Sequence, residues 1–141
     1  MNWNEAQTEA IELRNKNILV SAAAGSGKTA VLVERIRRLV VEEEVSIDRF
    51  LVVTFTNAAA SEMKEKIVKS LTKEAQTADE KKLSYIRRQL SLVAGANIST
   101  FHGFALEILR RYFYLTDLEP GFSVCDEDQA EILGMKAEIN V

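Results

Sequence analysis

Between the apolar run Ile18-Leu19-Val20 and a stretch where Val31, Leu32, Arg35, Ile36, Leu39 and Val40 recur at helical spacing, the chain reads Ala22-Ala23-Ala24-Gly25-Ser26-Gly27-Lys28-Thr29. A short strand, a glycine-bearing loop and a helix, in that order, form the setting of a phosphate-binding loop. The glycines let backbone N–H groups turn inward at the positive end of a helix dipole, where an anion is stabilised. In such a loop Lys28 reaches the β- and γ-phosphates and the Thr29 hydroxyl holds Mg²⁺. The motif opens on Ala22, which places it in the looser form that admits alanine or glycine there. Nucleotide binding is therefore expected, with ATP–Mg²⁺ the cofactor, Ala22 to Thr29 its cradle, and Lys28 and Thr29 the chemically active pair.

The rest of the chain fits an α/β frame around that loop. Asn4 to Arg14 reads as a short helix, Ile18 to Val20 as a buried strand, and Lys28 to about Glu43 as a helix. Phe50 to Thr54 is a second β-rich run, and Asn57 a plausible cap for a helix with Ala60, Met63, Ile67, Val68 and Leu71 on one face. Thr72 to Glu80 reads as a loop, Tyr85 to Val93 as a helix, Ile98 to Thr100 as a third strand, and Phe104 to Phe113 as a helix. Pro120-Gly121 marks a turn before a last helix over Glu127 to Met135. Strands alternating with helices predict a parallel sheet with helices on its faces.

With 141 residues, 47% hydrophobic and 28% charged, the chain has the size and profile of one globular domain and not of a disordered segment. Its longest apolar run, around Phe50 to Val53, is far too short to span a bilayer. The start shows neither a basic region nor an apolar signal segment, and the lone Cys125 has no internal disulfide partner. A cytoplasmic location is the expectation. The net charge of −3 hides an asymmetry: residues 1–60 carry −1, residues 61–112 carry +4 and residues 113–141 carry −6. The basic middle (Lys64, Lys66, Lys69, Lys73, Lys81, Lys82, Arg87, Arg88, Arg110, Arg111) is either a solvated helix face or a local phosphate-binding patch.

Asp126-Glu127-Asp128 resembles an acidic Mg²⁺-handling motif, but its lead-in from Pro120 is a turn and a half-polar stretch, so a helix cap at Asp126 or Asp128 fits better. Without such an acid the chain is expected to bind ATP–Mg²⁺ without an apparatus to hydrolyse it. His102, the only histidine, has no partners spaced for a catalytic triad or a metal. It is left as a nucleic-acid backbone contact or a capped core imidazole. Trp3 either packs near a bound base or staples the first helix.

Three further segments add up with the loop: Trp3 to Ile11, "VVTFTNAAASEMKEKI" from Val52 to Ile67, and "ISTFHGFALEILRRY" from Ile98 to Tyr112. Together the four resemble the opening motifs of superfamily 1 DNA helicases of the UvrD/Rep type. "RRYFYLTDLEPGF" looks particularly like the AddA (RexA) type of helicase–nuclease in Gram-positive bacteria. The resemblance covers essentially the whole chain. It implies a RecA-like P-loop NTPase fold, present here as an incomplete motor domain: residues 1–115 as the first portion of the ATP-binding domain and residues 116–141 as the start of an inserted helical subdomain. It implies that Gln7 reads the adenine edge, where a lone glutamine would otherwise be a solvated polar residue.

The same resemblance implies that Thr54, Phe55, Thr56 and Asn57, and later Thr100, Phe101 and His102, line a DNA track. The C-terminal end of a parallel strand is where such sheets bind ligands, and an exposed ring there can stack on a base; Phe55 alone would read as a core phenylalanine. Gly103 stands where many relatives carry serine. The implied activity is ATP-driven translocation and unwinding of DNA, with nuclease action, in double-strand break repair by homologous recombination. The implied partners are single- or double-stranded DNA and an AddB-type (RexB-type) protein, with no membrane. The chain alone is expected to bind ATP–Mg²⁺ and not to unwind. A small P-loop kinase, or a non-catalytic module for ATP or single-stranded DNA, are the alternatives.

Overall fold

The computed structural model describes residues 2–23, 25–119 and 121–125, so the helix expected over Glu127 to Met135 and the cap at Asp126 or Asp128 lie outside the described residues. Two compact units are present, residues 1–104 and residues 105–141. The first contains α1 (Glu5–Glu12), α2 (Lys28–Val41), β1 (Leu51–Thr54), α3 (Asn57–Ala75), α4 (Glu80–Leu92), β2 (Asn97–Thr100) and the first turn of α5 (Phe101–Arg111). In the second, Arg111 pairs with Glu107 along α5 at 3.0 Å, and the Phe113 and Tyr114 rings meet edge to face at 6.0 Å. No helix among the described residues is long and apolar enough to cross a membrane.

The core of the first unit follows from side-chain period. Ala60, Met63, Ile67 and Leu71 recur every three or four residues on α3, and all four are buried. They pack with Ile36, Val40 and Val41 of α2, Ile86 of α4, and Val52 and Ile98 from the strands. Val68, expected on the same stripe, is exposed. Fully burying each large aliphatic is worth about 1.5–3 kcal/mol, and α3 is the element that touches both strands and both neighbouring helices.

β1 and β2 pair in parallel, Leu51 opposite Asn97 and Thr54 opposite Thr100, as the alternation of strands and helices predicts. The α/β class and the parallel pairing therefore hold, but the sheet has two strands among the described residues instead of three. Ile18 to Val20 forms no ladder, and it is not buried: Leu19 is 96% exposed and Val20 48%. A strand exists by its inter-strand hydrogen bonds, and β-propensity supplies none by itself. The segment instead runs beside α1, where Ile18 to Ser21 line a groove with Ala6, Glu9, Ala10 and Leu13.

Helix ends also differ from the sequence expectation, each for a local reason. α3 extends through Ala75 because Leu71 is fully buried and Glu74 accepts from Arg37 at 3.1 Å, which turns part of the expected 72–80 loop into helix. Its cap is Thr56, not Asn57: Thr56 is extended and its hydroxyl accepts from the Ala59 N–H at 3.1 Å. α4 begins at Glu80, where the Asp79 carboxylate accepts from the Lys82 N–H at 2.8 Å. α5 begins at Phe101, three residues early, with the Thr100 hydroxyl accepting from the Gly103 N–H at 3.0 Å.

Candidate functional site

The loop before α2 has the backbone that an anion cradle needs. Gly25 and Gly27 sit at φ 78° and 86°, a region closed to most side chains, and Gly27 is the residue at which α2 starts. α1, α3 and α4 each carry a side-chain cap, on Asn4, Thr56 and Asp79. α2 has none, and no acidic residue stands in its first turn. Its leading N–H groups and the positive end of its dipole are thus left to an outside acceptor. Lys28 opens the helix and folds its ammonium over the loop, donating to the carbonyls of Ala22 at 2.6 Å and Ala23 at 2.8 Å. Thr29 follows it, exposed. Ala24 lies outside the described residues.

Gln7 meets this loop from α1. Asn4 caps the helix by accepting from the Gln7 N–H at 2.8 Å, and the Gln7 Oε1 accepts from the Asn4 N–H at 3.0 Å, a reciprocal box. The Nε2 of Gln7 donates to the Ser26 carbonyl at 3.3 Å, in the loop itself. One amide hydrogen and one lone pair of Gln7 remain unused by these bonds. A cavity of about 160 Å³ between helix and loop is lined by Gln7, Val20, Ala22, Ser26, Lys28 and Val31. It is smaller than the roughly 300–1,000 Å³ of a typical ligand pocket. Trp3 lies in a different groove, with Thr8, Glu9 and Leu13, which shares no residue with the loop and suits the staple at the start of α1.

The strand register brings the two other motifs to one edge. Thr54 is paired with Thr100, so Phe55 and Phe101 each follow a partner in the same rung, at the C-terminal ends of parallel strands. Phe55 is fully exposed and Phe101 is 67% exposed, which excludes the core reading of Phe55. His102 is also exposed, its ring edge to face with Phe101 at 6.1 Å, so it is not a core imidazole. The Thr54 hydroxyl donates to the Thr56 carbonyl at 3.0 Å, and Asn57 opens α3 with its side chain in solvent. Both α3 and α5 start at this edge, each capped by a threonine. At Gly103 a Cβ would come within 3.1 Å of the Thr100 hydroxyl, so glycine is what lets that cap close.

The sequence signals outside these two places separate from them. Lys66 pairs with Glu62 at 2.6 Å on a solvated face of α3. A cavity of about 830 Å³ beside α4 is lined by mixed charges, among them Glu42, Glu44, Asp79, Lys81 and Arg88, and shares no residue with the loop or the strand edge. There Tyr85 carries a hydroxyl with no hydrogen-bond partner, and burial, helped by Glu44, raises its pKa. Cys125 is exposed and free. Among the described residues no group of histidine, cysteine and carboxylate side chains is arranged to hold a metal.

A family model described as the UvrD/REP helicase N-terminal domain matches residues 3–139. The chain belongs to the UvrD/REP helicase family. Relatives of this UvrD/REP chain include an ATP-dependent helicase/nuclease of Bacillus velezensis, 53% identical over 94% of this chain and 11% of the relative. Its counterpart of the same name from Geobacillus thermodenitrificans is 53% identical over 93% of this chain and 10% of the relative. That of Alkaliphilus metalliredigens is 45% identical over 96% and 11%. The chain thus spans about a tenth of the length of the curated relatives it matches.

What sequence reasoning missed here is structural support. Asn4 with Gln7 three residues on is a readable capping-box signal. The bonds from Arg35 to the carbonyls of Ala10 and Ile11 in α1 leave no mark in sequence spacing.

Proposed function

We propose that this chain supplies the ATP–Mg²⁺-binding part and a stretch of the DNA track of a DNA helicase–nuclease. The observation that carries the reading is the uncapped start of α2 behind two positive-φ glycines, with Lys28 and Thr29 at its mouth. In this reading the fold is the RecA-like P-loop type. The N–H groups of residues 25–29 cradle the phosphates, Lys28 exchanges its two loop carbonyls for β- and γ-phosphate oxygens, and Thr29 holds Mg²⁺. Bound Mg²⁺ supplies charge neutralisation for the phosphates. Gln7 offers its spare donor and acceptor to N7 and N6 of adenine, a pairing whose geometry suits a glutamine amide. Thr54 to Asn57 and Thr100 to His102 contact single-stranded DNA, Phe55 and Phe101 as stacking surfaces.

The family membership and the relatives' names support the wider reading: ATP-driven unwinding joined to nuclease action, a second protein of the AddB type as partner, and a role in double-strand break repair. Residues 1–115 then belong to the ATP-binding domain and residues 116–141 begin an inserted helical part. Because the chain corresponds to about a tenth of those relatives, it is expected to bind ATP–Mg²⁺ without unwinding DNA.

The test is equilibrium binding of a fluorescent ATP analogue with Mg²⁺ to the chain and to Lys28→Ala, repeated with a single-stranded oligonucleotide present. Binding that the substitution abolishes, and a nucleotide-dependent change in DNA affinity, are expected. Equal binding by both proteins would reject the loop as the site. Nucleotide and DNA binding with no mutual effect would favour a passive binding module over a motor.

A further inference from the structure

α1 has eight residues, too few to hold a helix or a position without help from its neighbours. Yet Gln7 can serve the loop only if α1 is fixed to within a fraction of a bond length. Its own contact with the loop is long, 3.3 Å to the Ser26 carbonyl. The stronger hold is at the other end of the helix. Ile11 is fully buried, and Arg35 of α2 reaches across to donate from Nη1 to the Ala10 carbonyl at 2.7 Å and the Ile11 carbonyl at 3.3 Å. α1 has no basic residue in its own last turn, so Arg35 supplies the cation that its negative end and unpaired carbonyls call for. Arg14 adds a bond from Nη1 to the Ile11 carbonyl at 2.6 Å. The pair Arg38–Glu12, at 2.8 Å, lies largely in solvent and adds little.

Geometry makes this hold specific to the site. Lys28, Val31 and Arg35 lie three and four residues apart, on one face of α2, while Gln7, Ala10 and Ile11 share one face of α1. The helix that begins at the phosphate loop therefore grips, two turns later, the helix that carries Gln7. Burial, reinforced by the nearby Arg14 charge, lowers the Arg35 pKa, as a guanidinium drawn in among carbonyls requires.

We propose that Arg35 is a positioning residue for base recognition: by bonding the C-terminal carbonyls of α1 it sets Gln7 at the phosphate loop, and so governs preference for adenine over guanine nucleotides without touching the nucleotide. The proposal rests on the reading of Gln7 as the adenine-facing residue. Guanine presents an acceptor where adenine presents its amino group, so a fixed glutamine amide discriminates and a loose one does not.

The test uses the full chain with Mg²⁺ and three probes: ATP, GTP and inorganic tripolyphosphate, each competed against a fluorescent nucleotide. The chain itself is expected to prefer ATP over GTP by about tenfold. Arg35→Met, which keeps the apolar stem, is expected to bring that ratio close to one while tripolyphosphate affinity stays the same. Arg35→Lys, which retains a donor, is expected to restore part of the ratio. Gln7→Ala should also bring the ratio close to one, and adding Arg35→Met to it should change nothing further. If Gln7→Ala removes the preference and Arg35→Met leaves it intact, the positioning role is wrong and the reading of Gln7 stands. If Gln7→Ala leaves the preference intact, that reading falls and the proposal with it. Loss of tripolyphosphate binding in Arg35→Met would show a general structural role and overturn the proposal. Should Arg35→Met not fold, Arg35→Lys decides: a reduced ratio at unchanged tripolyphosphate affinity supports the proposal, and an unchanged ratio overturns it.

Discussion

Gln89, 1% exposed, is the polar side chain placed deepest in the core. Its Oε1 accepts from the Ile47 N–H at 2.8 Å and from the Ser46 hydroxyl at 3.3 Å, tying α4 to the 3₁₀ turn Ile47–Arg49 that leads into β1. Gln89→Leu would leave a buried backbone donor unpaired, and urea denaturation is expected to show a loss of about 1–3 kcal/mol. Phe55 is the opposite case. Its side chain is wholly in solvent, so Phe55→Ala should change stability by less than about 0.5 kcal/mol. In the proposed function it should weaken single-stranded DNA binding by about 1–3 kcal/mol, read by oligonucleotide titration. A DNA affinity that does not change would remove Phe55 from the track. Neither role is legible in the sequence. A glutamine amid a charged helix reads as solvated, and a phenylalanine after Leu-Val-Val-Thr reads as core, because burial is settled by what packs against a residue from distant segments.

At the scale of elements, most of the frame is legible and the reasons are local. The stripe Ala60, Met63, Ile67 and Leu71 predicts α3 because its period matches the helix and its face finds a core. Caps decide the ends: Thr56 and Thr100 start α3 and α5 where the threonine hydroxyl, and not the following residue, reaches the third N–H. Thr56→Ala is expected to destabilise the fold by about 1 kcal/mol in thermal or urea melts, while Thr56→Ser restores most of it. Ile18-Leu19-Val20 shows where such reading fails. An apolar β-rich triplet carries the propensity of a strand, but pairing depends on which other segment offers a ladder, and no local pattern encodes that. The loop is legible because glycine spacing and the Lys-Thr pair are themselves local. The grip of Arg35 on α1 is not, since it joins positions 25 residues apart.

On the scale of the first compact unit, α2 acts as an electrostatic hub. Glu34 accepts from Arg37 at 2.8 Å and from Arg38 at 3.1 Å, and Arg37 also reaches Glu42 at 2.9 Å and Glu74 of α3 at 3.1 Å. The hydrogen bond from Arg37, working against burial and joined by Arg38, holds the Glu34 carboxyl below its ordinary value of 4.5. The sign follows from that depression. Stability from Glu34 is fully present above its unfolded value and drains away as pH falls through the lower, folded one. Urea midpoints measured from about pH 7 to about pH 3 should therefore decline, and Glu34→Gln should lower the midpoint near neutrality and flatten the decline. An unchanged slope in that variant would assign acid sensitivity to other carboxylates. The register of the sheet has a consequence in time. Leu51 and Asn97 meet across two whole helices, so the α3–α4 pair, built from near neighbours, is expected to assemble before the ladder can close. The edge bearing Phe55 and Phe101 would then be the last part of the unit to acquire its shape, and a spectroscopic probe placed there would report the completion of folding.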